Sequence, residues 1–328
     1  MSARRGERTL CGGIDLGGTK IQAAIVGDDG KVVGDARRAT PVSGGPDGVA
    51  EQMAEALVEA GTMAGVEPTD LGGVGVGAPG TVDKDGAVSS AANLPDWDGS
   101  FPLAEHLSSA LDTGVRVGND VQVATDAEAR LGAGRPYKSL LGVFWGTGVG
   151  GGLVLDDKPW LGLGAAGEIG HMVVKLGGKR CPCGRRGCME AYAGRAAMEA
   201  TARREHDKGE HTDLFKIMEK RGHDRLKSSV WEHALEQGDS MAEKLIGRAV
   251  EAIGAAVASA VNLLDVEAVI IGGGIGVRLG EPYVKKIERR VLKNLIVDER
   301  PPAFHVASLG DFGGAIGASL LWRPAPES

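Results

Sequence analysis

The segment from Glu168 to Glu190 constrains the fold of this 328-residue chain more than any other, because it concentrates metal-binding side chains in a short stretch. It reads EIGHMVVKLGGKRCPCGRRGCME. One imidazole and three thiolates are a complete tetrahedral ligand set for structural zinc, with no position left for water. The predicted zinc ligands are His171, Cys181, Cys183 and Cys188. Such a closed site would organise the loop and leave Glu168 and Glu190 beside the metal, available to bind something else.

A disulfide or a redox pair is the alternative explanation for three clustered cysteines. The chain has 4 cysteines in 328 residues and begins MSARRGERTL, without an apolar leader, which favours a reducing compartment. The GRRG sequence would form a tight turn that brings Cys183 and Cys188 to one ion. Cys11 lies apart in an apolar run, where we expect a buried thiol without a functional role. We therefore predict zinc and a cytoplasmic protein.

The overall charge gives no reason to expect binding to nucleic acid or to an anionic membrane. The formal net charge is -7, and the densest charged stretch, residues 203–227, mixes both signs as a solvated helical face does. The apolar run over residues 252–264 is too short to span a bilayer and predicts a buried core helix. A chain of this length exceeds what one hydrophobic core usually sustains, so we expect two domains.

Two similar glycine-containing patterns occur in the two halves of the chain. GIDLGGTKIQAAIV begins at Gly13 and GVFWGTGVGGGLVL begins at Gly142, and each predicts a hairpin whose tip offers backbone N–H groups. Two facing tips would form a phosphate-binding cleft. The run VEAVIIGGGIG predicts a buried strand, a glycine turn and a helix, and this turn either binds part of a nucleotide or is an ordinary connection.

The remaining periodicity indicates alternating helices and strands. Further strands are predicted near residues 73–76 and 114–117. Helices are predicted over residues 48–64, 193–220 and 230–264, with a last one in GDFGGAIGASLLW.

These motifs, taken in order, resemble the ROK family (repressors, open reading frames, kinases). The matching motifs are DLGGTK, GAPGTVD, ANLPDWDG, GND, GTGVGGG, GEIGH, CPCGRRGCME and GGG. The resemblance covers about residues 10–320 and is closest to the bacterial ATP-dependent glucokinases of that family. It implies an α/β, actin-like or hexokinase-like (ribonuclease H-like) ATPase fold with two domains around a cleft. We predict a smaller domain over residues 1–120 and 311–328 and a larger one, with the zinc site, over residues 121–310.

The resemblance further implies ATP-dependent phosphorylation of glucose to glucose 6-phosphate, with Asp120 as the general base on the sugar hydroxyl. Spacing alone favours a different role for Asp120, as the cap of a helix that begins near Val121. The sugar-binding residues implied by the resemblance are Asn93, Asn119, Asp120, Glu168, His171 and Glu190. His171 would serve twice, with one ring nitrogen on zinc and the other on a sugar hydroxyl or a nearby carboxylate.

ATP would be held by the two hairpin tips and the glycine triplet, with Mg²⁺ oriented by Asp15 through its water shell. The implied ATP-binding residues are Asp15, Gly17, Gly18, Thr19, Lys20, Gly146, Thr147, Gly148, Gly273 and Gly274. For Lys20, an ordinary surface lysine is the alternative.

Three alternatives remain open from the sequence. A kinase for N-acetylmannosamine, N-acetylglucosamine, fructose or another hexose would have the same motifs, and ADP or polyphosphate could replace ATP as donor. A sugar-sensing repressor of the same family would need a DNA-binding domain, for which the residues before the first predicted strand are too few. The family resemblance also implies a homodimer or homotetramer.

Overall fold

The computed structural model describes residues 9–91, 94 and 96–323. The chain divides into two compact units. The first unit comprises the chain up to Pro136, the segment Gly152–Ala166 and the chain from Ser308 onwards. The second unit comprises Tyr137–Gly151 and Gly167–Ala307.

The described residues form thirteen strands and ten α-helices. The strands are β1 (Cys11–Leu16), β2 (Lys20–Val26), β3 (Val32–Ala39), β4 (Val74–Ala78), β5 (Thr81–Val82), β6 (Val88–Ser89), β7 (Ser100–Phe101), β8 (Val115–Asn119), β9 (Leu140–Trp145), β10 (Val149–Leu155), β11 (Lys158–Pro159), β12 (Ala268–Gly272) and β13 (Ala303–Val306). The helices are α1 (Gly45–Ala64), α2 (Leu103–Leu111), α3 (Asp120–Leu131), α4 (Glu190–Ala193), α5 (Arg195–Asp207), α6 (Leu214–Lys220), α7 (Ser228–Glu236), α8 (Ser240–Leu264), α9 (Gly273–Leu292) and α10 (Gly313–Ser319).

The first unit is built on a five-stranded sheet in the order β3-β2-β1-β4-β8. β1 and β2 are antiparallel, which confirms the first predicted hairpin, and β4 lies parallel to both β1 and β8. Helix α10 packs so closely against one face of this sheet that its backbone meets the backbone of β1. A Cβ on Gly13 would lie only 1.9 Å from the carbonyl oxygen of Ala315. Helix α1 covers the sheet with a buried stripe that includes Met53 and Leu57.

The second unit contains a sheet in which β12 lies between β9 and β13 and is parallel to both. β10 follows β9 in chain order and is its neighbour in the sheet, which agrees with the second predicted hairpin. Among the described residues one helix, α8, is long and apolar enough to cross a membrane, but 67% of its most apolar window is buried in the protein. The predicted core helix within α8 is therefore confirmed.

Two predicted helices are each divided in two. The chain over residues 193–220 forms α5 and α6, and the chain over residues 230–264 lies in α7 and α8. Gly209 follows α5 with φ of 96°, and Gly238 separates α7 from α8 with φ of 72°. Both values lie in the left-handed region that glycine adopts without steric cost, so each residue ends a helix.

The compact units differ from the predicted division after Asp120. Helix α3 stays with the first unit because it packs against α10, where a Cβ on Gly317 would lie 2.1 Å from the carbonyl oxygen of Val123. The first unit also includes Gly152–Ala166, a return of the chain that the sequence pattern does not reveal.

Candidate active site

The four predicted zinc ligands come together in the second unit. One potential ligand atom from each of His171, Cys181, Cys183 and Cys188 lies within 4.8 Å of the others. The Sγ atoms of Cys183 and Cys188 are 3.7 Å apart, far beyond a disulfide bond. Gly184 and Gly187 adopt φ of 87° and 86°, so the glycines of the GRRG sequence provide the tight turns that bring the cysteines together.

The chemistry of the cluster fits a cation. Burial raises the pKa of Cys181 to about 12 and also raises the pKa of Cys188, because a thiolate loses hydration there. The exposed thiol of Cys183 differs, since the backbone N–H of Arg185 lowers its pKa to about 7. A divalent cation would offset the cost of holding the buried thiolates.

The two ring nitrogens of His171 have separate neighbours. Nδ1 lies 3.8 Å from the Sγ atom of Cys181, and Nε2 lies 3.8 Å from Oε2 of Glu168. The Glu168 side chain is 59% exposed, so its carboxylate is accessible to a ligand. This arrangement agrees with a histidine that bridges a metal ligand set and a carboxylate.

Glu190 connects the cysteine cluster to the second hairpin tip. Its Oε2 atom accepts the backbone N–H of Val149 at 3.0 Å, and its Oε1 atom lies 3.8 Å from the Sγ atom of Cys181. A Cβ on Gly148 would lie 2.3 Å from Oε2 of Glu190, so a side chain at this position would displace the Glu190 carboxylate. The sequence predicted Glu190 for sugar binding only, and this contact with the tip was missed.

The second tip is a tight turn in which the N–H of Gly146 donates to the carbonyl of Gly148 at 2.9 Å. Gly273 begins α9 with φ of 77°, and a Cβ there would lie 2.6 Å from the carbonyl oxygen of Trp145. The glycine triplet therefore lies against the end of β9, beside the turn. The sequence pattern did not indicate Arg195, whose guanidinium donates to Oγ1 of Thr147 at 2.8 Å.

The first tip has a similar turn. The N–H of Gly17 donates to the carbonyl of Lys20 at 2.9 Å, and Thr40 donates its hydroxyl to the carbonyl of Gly17 at 2.6 Å. Gly18, Thr19 and Lys20 are exposed. Asp15 is half-buried at the base of this tip, and burial raises its pKa, with the charge of Lys20 acting in the opposite direction.

Asn119 and Asp120 lie where β8 meets α3. The Oδ1 atom of Asn119 accepts the backbone N–H groups of Val121 and Gln122, each at 3.1 Å, so Asn119 is the N-cap. The alternative that Asp120 is the cap is therefore wrong by one residue: Asp120 is the first residue of the helix. Its Oδ1 atom accepts the N–H of Val121 at 2.9 Å. Asn119 also donates from Nδ2 to the carbonyl of Gly80 at 3.3 Å, which limits what this amide can offer a sugar.

The predicted site residues therefore form separate groups. In the first unit, Asn119 and Asp120 lie at the start of α3 and Asp15 lies at the first tip. In the second unit, Glu168, His171 and Glu190 lie around the cysteine cluster, and Glu190 also contacts the second tip. Asn93 lies outside the described residues.

Comparison with known proteins gives a family match over almost the whole chain. The profile described as the ROK family matches residues 11–325. A glucokinase of Thermotoga maritima is 33% identical over 282 residues, which cover 85% of this chain and 86% of that protein. An N-acetyl-D-glucosamine kinase of Salmonella paratyphi A is 29% identical over 321 residues, or 94% of this chain and 98% of that protein. The solved structure of a ROK family glucokinase from Streptomyces griseus, in complex with glucose and AMPPNP, has a TM-score of 0.82 and 31% identity and covers 95% of this chain and 98% of that one.

Proposed function

We propose, from the premise that this chain belongs to the ROK family and has its hexokinase-like ATPase fold, that it is a glucokinase. It transfers the γ-phosphoryl group of ATP to the 6-hydroxyl of glucose and releases ADP and glucose 6-phosphate. The observation that carries the proposal is the near full-length likeness to a glucokinase solved with glucose and an ATP analogue, at 31% identity and a TM-score of 0.82.

In this proposal Asp120 is the general base. Phosphoryl transfer to a sugar needs a carboxylate that accepts the hydroxyl proton as the new phosphorus–oxygen bond forms. Asn119 supports this role, because as the N-cap it fixes the first turn of α3 and with it the backbone of Asp120. A rigid helix start holds the carboxylate at a constant position relative to the bound sugar.

The sugar hydroxyls are assigned to side-chain carboxylate, amide and imidazole groups. Exposure of Glu168 and its proximity to Nε2 of His171 support a paired contact with neighbouring hydroxyls. Glu190 has one oxygen on the backbone of Val149, which fixes the carboxylate in place. The remaining predicted contacts are Asn93, the second amide hydrogen of Asn119, and Asp120.

The phosphates of ATP are assigned to the backbone N–H groups and hydroxyls of the two tips. The exposed Gly18, Thr19 and Lys20 form one tip, and Gly146, Thr147 and Gly148 form the other. Gly273 and Gly274 lie at the N-terminus of α9, where backbone N–H groups favour an anion or a ribose hydroxyl. Mg²⁺ would neutralise phosphate charge, and Asp15 would orient it through bound water.

The cysteine cluster would hold structural zinc. Its ligands are one imidazole and three thiols whose ligand atoms lie within 4.8 Å of one another, which suits a tetrahedral site. The ion would stabilise the loop that carries Glu168 and the start of α4 at Glu190. In this role it supplies structure and leaves the chemistry to Asp120.

Phosphorylation of an N-acetylated amino sugar is the second candidate function, and the comparisons support it. Relatives of similar coverage include an N-acetyl-D-glucosamine kinase at 29% identity, and an N-acetylgalactosamine kinase of Shewanella at 32%. Glucose is favoured because several relatives at 30–33% identity over 85–96% of this chain are glucokinases, and because the structure solved with glucose and AMPPNP is also that of a glucokinase. As a kinase of central sugar metabolism, the protein would act in the cytoplasm, as a homodimer or homotetramer.

A coupled assay tests this proposal. The purified protein is given glucose, N-acetylglucosamine, N-acetylmannosamine and fructose, each with ATP, ADP or polyphosphate, and zinc is quantified in the same sample. The highest kcat/KM is expected for glucose with ATP. A higher value for an amino sugar would assign that sugar instead, and sugar binding without turnover would favour a sensor.

A further inference from the structure

Arg195 is the first residue of α5 and lies immediately after the segment of the cysteine cluster. Its position is fixed by backbone contacts with the second hairpin tip. The N–H of Arg195 donates to the carbonyl of Gly146 at 3.1 Å, and the N–H of Ala196 donates to the carbonyl of Thr147 at 3.0 Å. The helix start and the tip therefore form one hydrogen-bonded unit.

The guanidinium of Arg195 connects this tip to a second segment. Nη2 donates to Oγ1 of Thr147 at 2.8 Å, and Nη1 donates to the carbonyl of Leu226 at 3.1 Å. Leu226 lies just before α7, whose first residue, Ser228, approaches the glycine triplet: a Cβ on Gly274 would lie 3.2 Å from the Ser228 hydroxyl. Arg195 thus contacts the second tip directly and is linked through residues 226–228 to the glycine triplet, and the proposed function assigns the nucleotide to both segments.

The charge of Arg195 has no carboxylate partner within the described parts of the chain. The nearest acid on its helix, Glu199, accepts from Arg203 and from the backbone N–H of Leu226 at 3.0 Å. Burial lowers the pKa of Arg195, the charge of Glu199 raises it, and the charge of Arg225 lowers it further. An arginine remains charged under all these influences. A half-buried guanidinium that makes no ion pair among the described residues suits an anion-binding site, because a bound anion would neutralise its charge.

We propose that Arg195 is a nucleotide-binding residue that contacts the phosphate oxygens of the phosphoryl donor while it holds Thr147 in place. Two of the five guanidinium N–H groups are used by Thr147 and Leu226, so three remain for phosphate oxygens. A guanidinium matches phosphate geometry better than an ammonium does. This inference rests on the proposed function, since it assigns the ligand of the second tip to a nucleotide polyphosphate.

The test is nucleotide affinity in the full-length protein, measured by calorimetry with ATP and with adenosine as separate ligands. Arg195→Met should weaken ATP binding by roughly 10- to 100-fold, as expected for the loss of a charge-assisted hydrogen bond, and leave the affinity for adenosine within about 2-fold. Arg195→Lys keeps the positive charge and loses the paired N–H donors of the guanidinium, so its affinity for ATP should be intermediate. Arg204→Met is the matched control: its side chain is 55% exposed on the same helix, and its ATP affinity should equal that of the unsubstituted protein.

Equal losses for ATP and adenosine, or a lowered unfolding temperature with unchanged ATP affinity, would show that Arg195 supports the fold alone and would overturn the proposal. If Arg195→Met does not fold, Arg195→Lys provides the test. A role confined to the fold predicts that its affinity for ATP does not fall more than its affinity for adenosine. Failure of the proposed function is seen separately, as the absence of sugar phosphorylation in an unsubstituted protein that binds ATP.

Discussion

The backbone N–H of Val149 donates to the Glu190 carboxylate at 3.0 Å and thereby joins the segment of the cysteine cluster to the second hairpin tip. The same carboxylate approaches the Sγ atom of Cys181 at 3.8 Å. One side chain therefore contacts the predicted metal site and the predicted phosphate site. A change in the cluster is expected to affect both sugar and nucleotide binding through Glu190.

Two substitutions at Glu190 separate its functions. Glu190→Gln retains an oxygen for Val149 and removes the charge, so KM for glucose should rise by roughly 10- to 100-fold while KM for ATP stays within about 3-fold. Glu190→Ala removes the acceptor as well and should raise both KM values. Initial-rate kinetics with each substrate varied in turn measure these KM values. An equal change in KM for ATP in the two variants would contradict the role of the Glu190–Val149 hydrogen bond in holding the tip.

Asp120→Asn tests the general base. The substituted amide keeps hydrogen bonding and cannot accept the hydroxyl proton, so kcat should fall by roughly 100- to 10,000-fold with KM for glucose nearly unchanged. Asp112→Asn is a suitable control, since Asp112 has φ of 46° at the end of α2 and asparagine tolerates that conformation. Near-normal kcat in Asp120→Asn would remove this residue from the chemistry.

Removal of the metal should lower stability and activity together. Cys183→Ser, or chelation of the unsubstituted protein, should abolish bound zinc and sugar phosphorylation. If zinc is present at about 1,000 times its dissociation constant, it contributes about 4 kcal/mol, which corresponds to a fall in unfolding temperature of roughly 6 °C if all 328 residues unfold together. Zinc analysis and thermal unfolding on one sample measure this.

Cys11→Ala is the matched control for that experiment. Cys11 is buried in β1, away from the cluster in sequence, so its substitution should leave the zinc content unchanged. Full activity in zinc-free Cys183→Ser protein would contradict the structural role of the metal.

The ionisation of Asp15 predicts a pH-dependent stability difference. Burial raises the pKa of Asp15 above its ordinary value of 3.8, so the folded protein binds this proton more tightly than the unfolded chain does. Ionised Asp15 therefore lowers stability at neutral pH, and Asp15→Asn should raise the free energy of unfolding there. The gain should be absent below pH 3.8, grow as the pH rises through the folded-state pKa and then stay constant.

Urea unfolding at a series of pH values measures this difference, and a gain independent of pH would contradict it. Turnover with ATP should fall in the same variant, because the proposed role of Asp15 in orienting hydrated Mg²⁺ needs a carboxylate. Stability and activity are thus expected to change in opposite directions.

The parts of the fold that local sequence determines were predictable. Alternating apolar residues around a glycine turn indicated the hairpin of β1 and β2, and the spacing of Cys181, Cys183 and Cys188 indicated a shared ion, because both depend on neighbours in the chain. The end of α5 at Gly209 was visible in principle as a glycine within a charged helical pattern.

Contacts between distant segments were not predictable in this way. Nothing in the sequence around Arg195 indicates that its guanidinium contacts Thr147, because that contact depends on how the start of α5 hydrogen-bonds to the turn between β9 and β10. The assignment of α3 to the first unit likewise depends on its packing against α10, far along the chain. The cap at Asn119 was missed because Asn119 and Asp120 are both good capping residues, and only the backbone decides between them.

The most direct test of the central claim is identification of the product by phosphorus NMR after incubation of the purified protein with glucose, ATP and Mg²⁺. Glucose 6-phosphate and ADP are expected in equal amounts. ATP hydrolysis without a sugar phosphate, or phosphorylation at another hydroxyl, would contradict it.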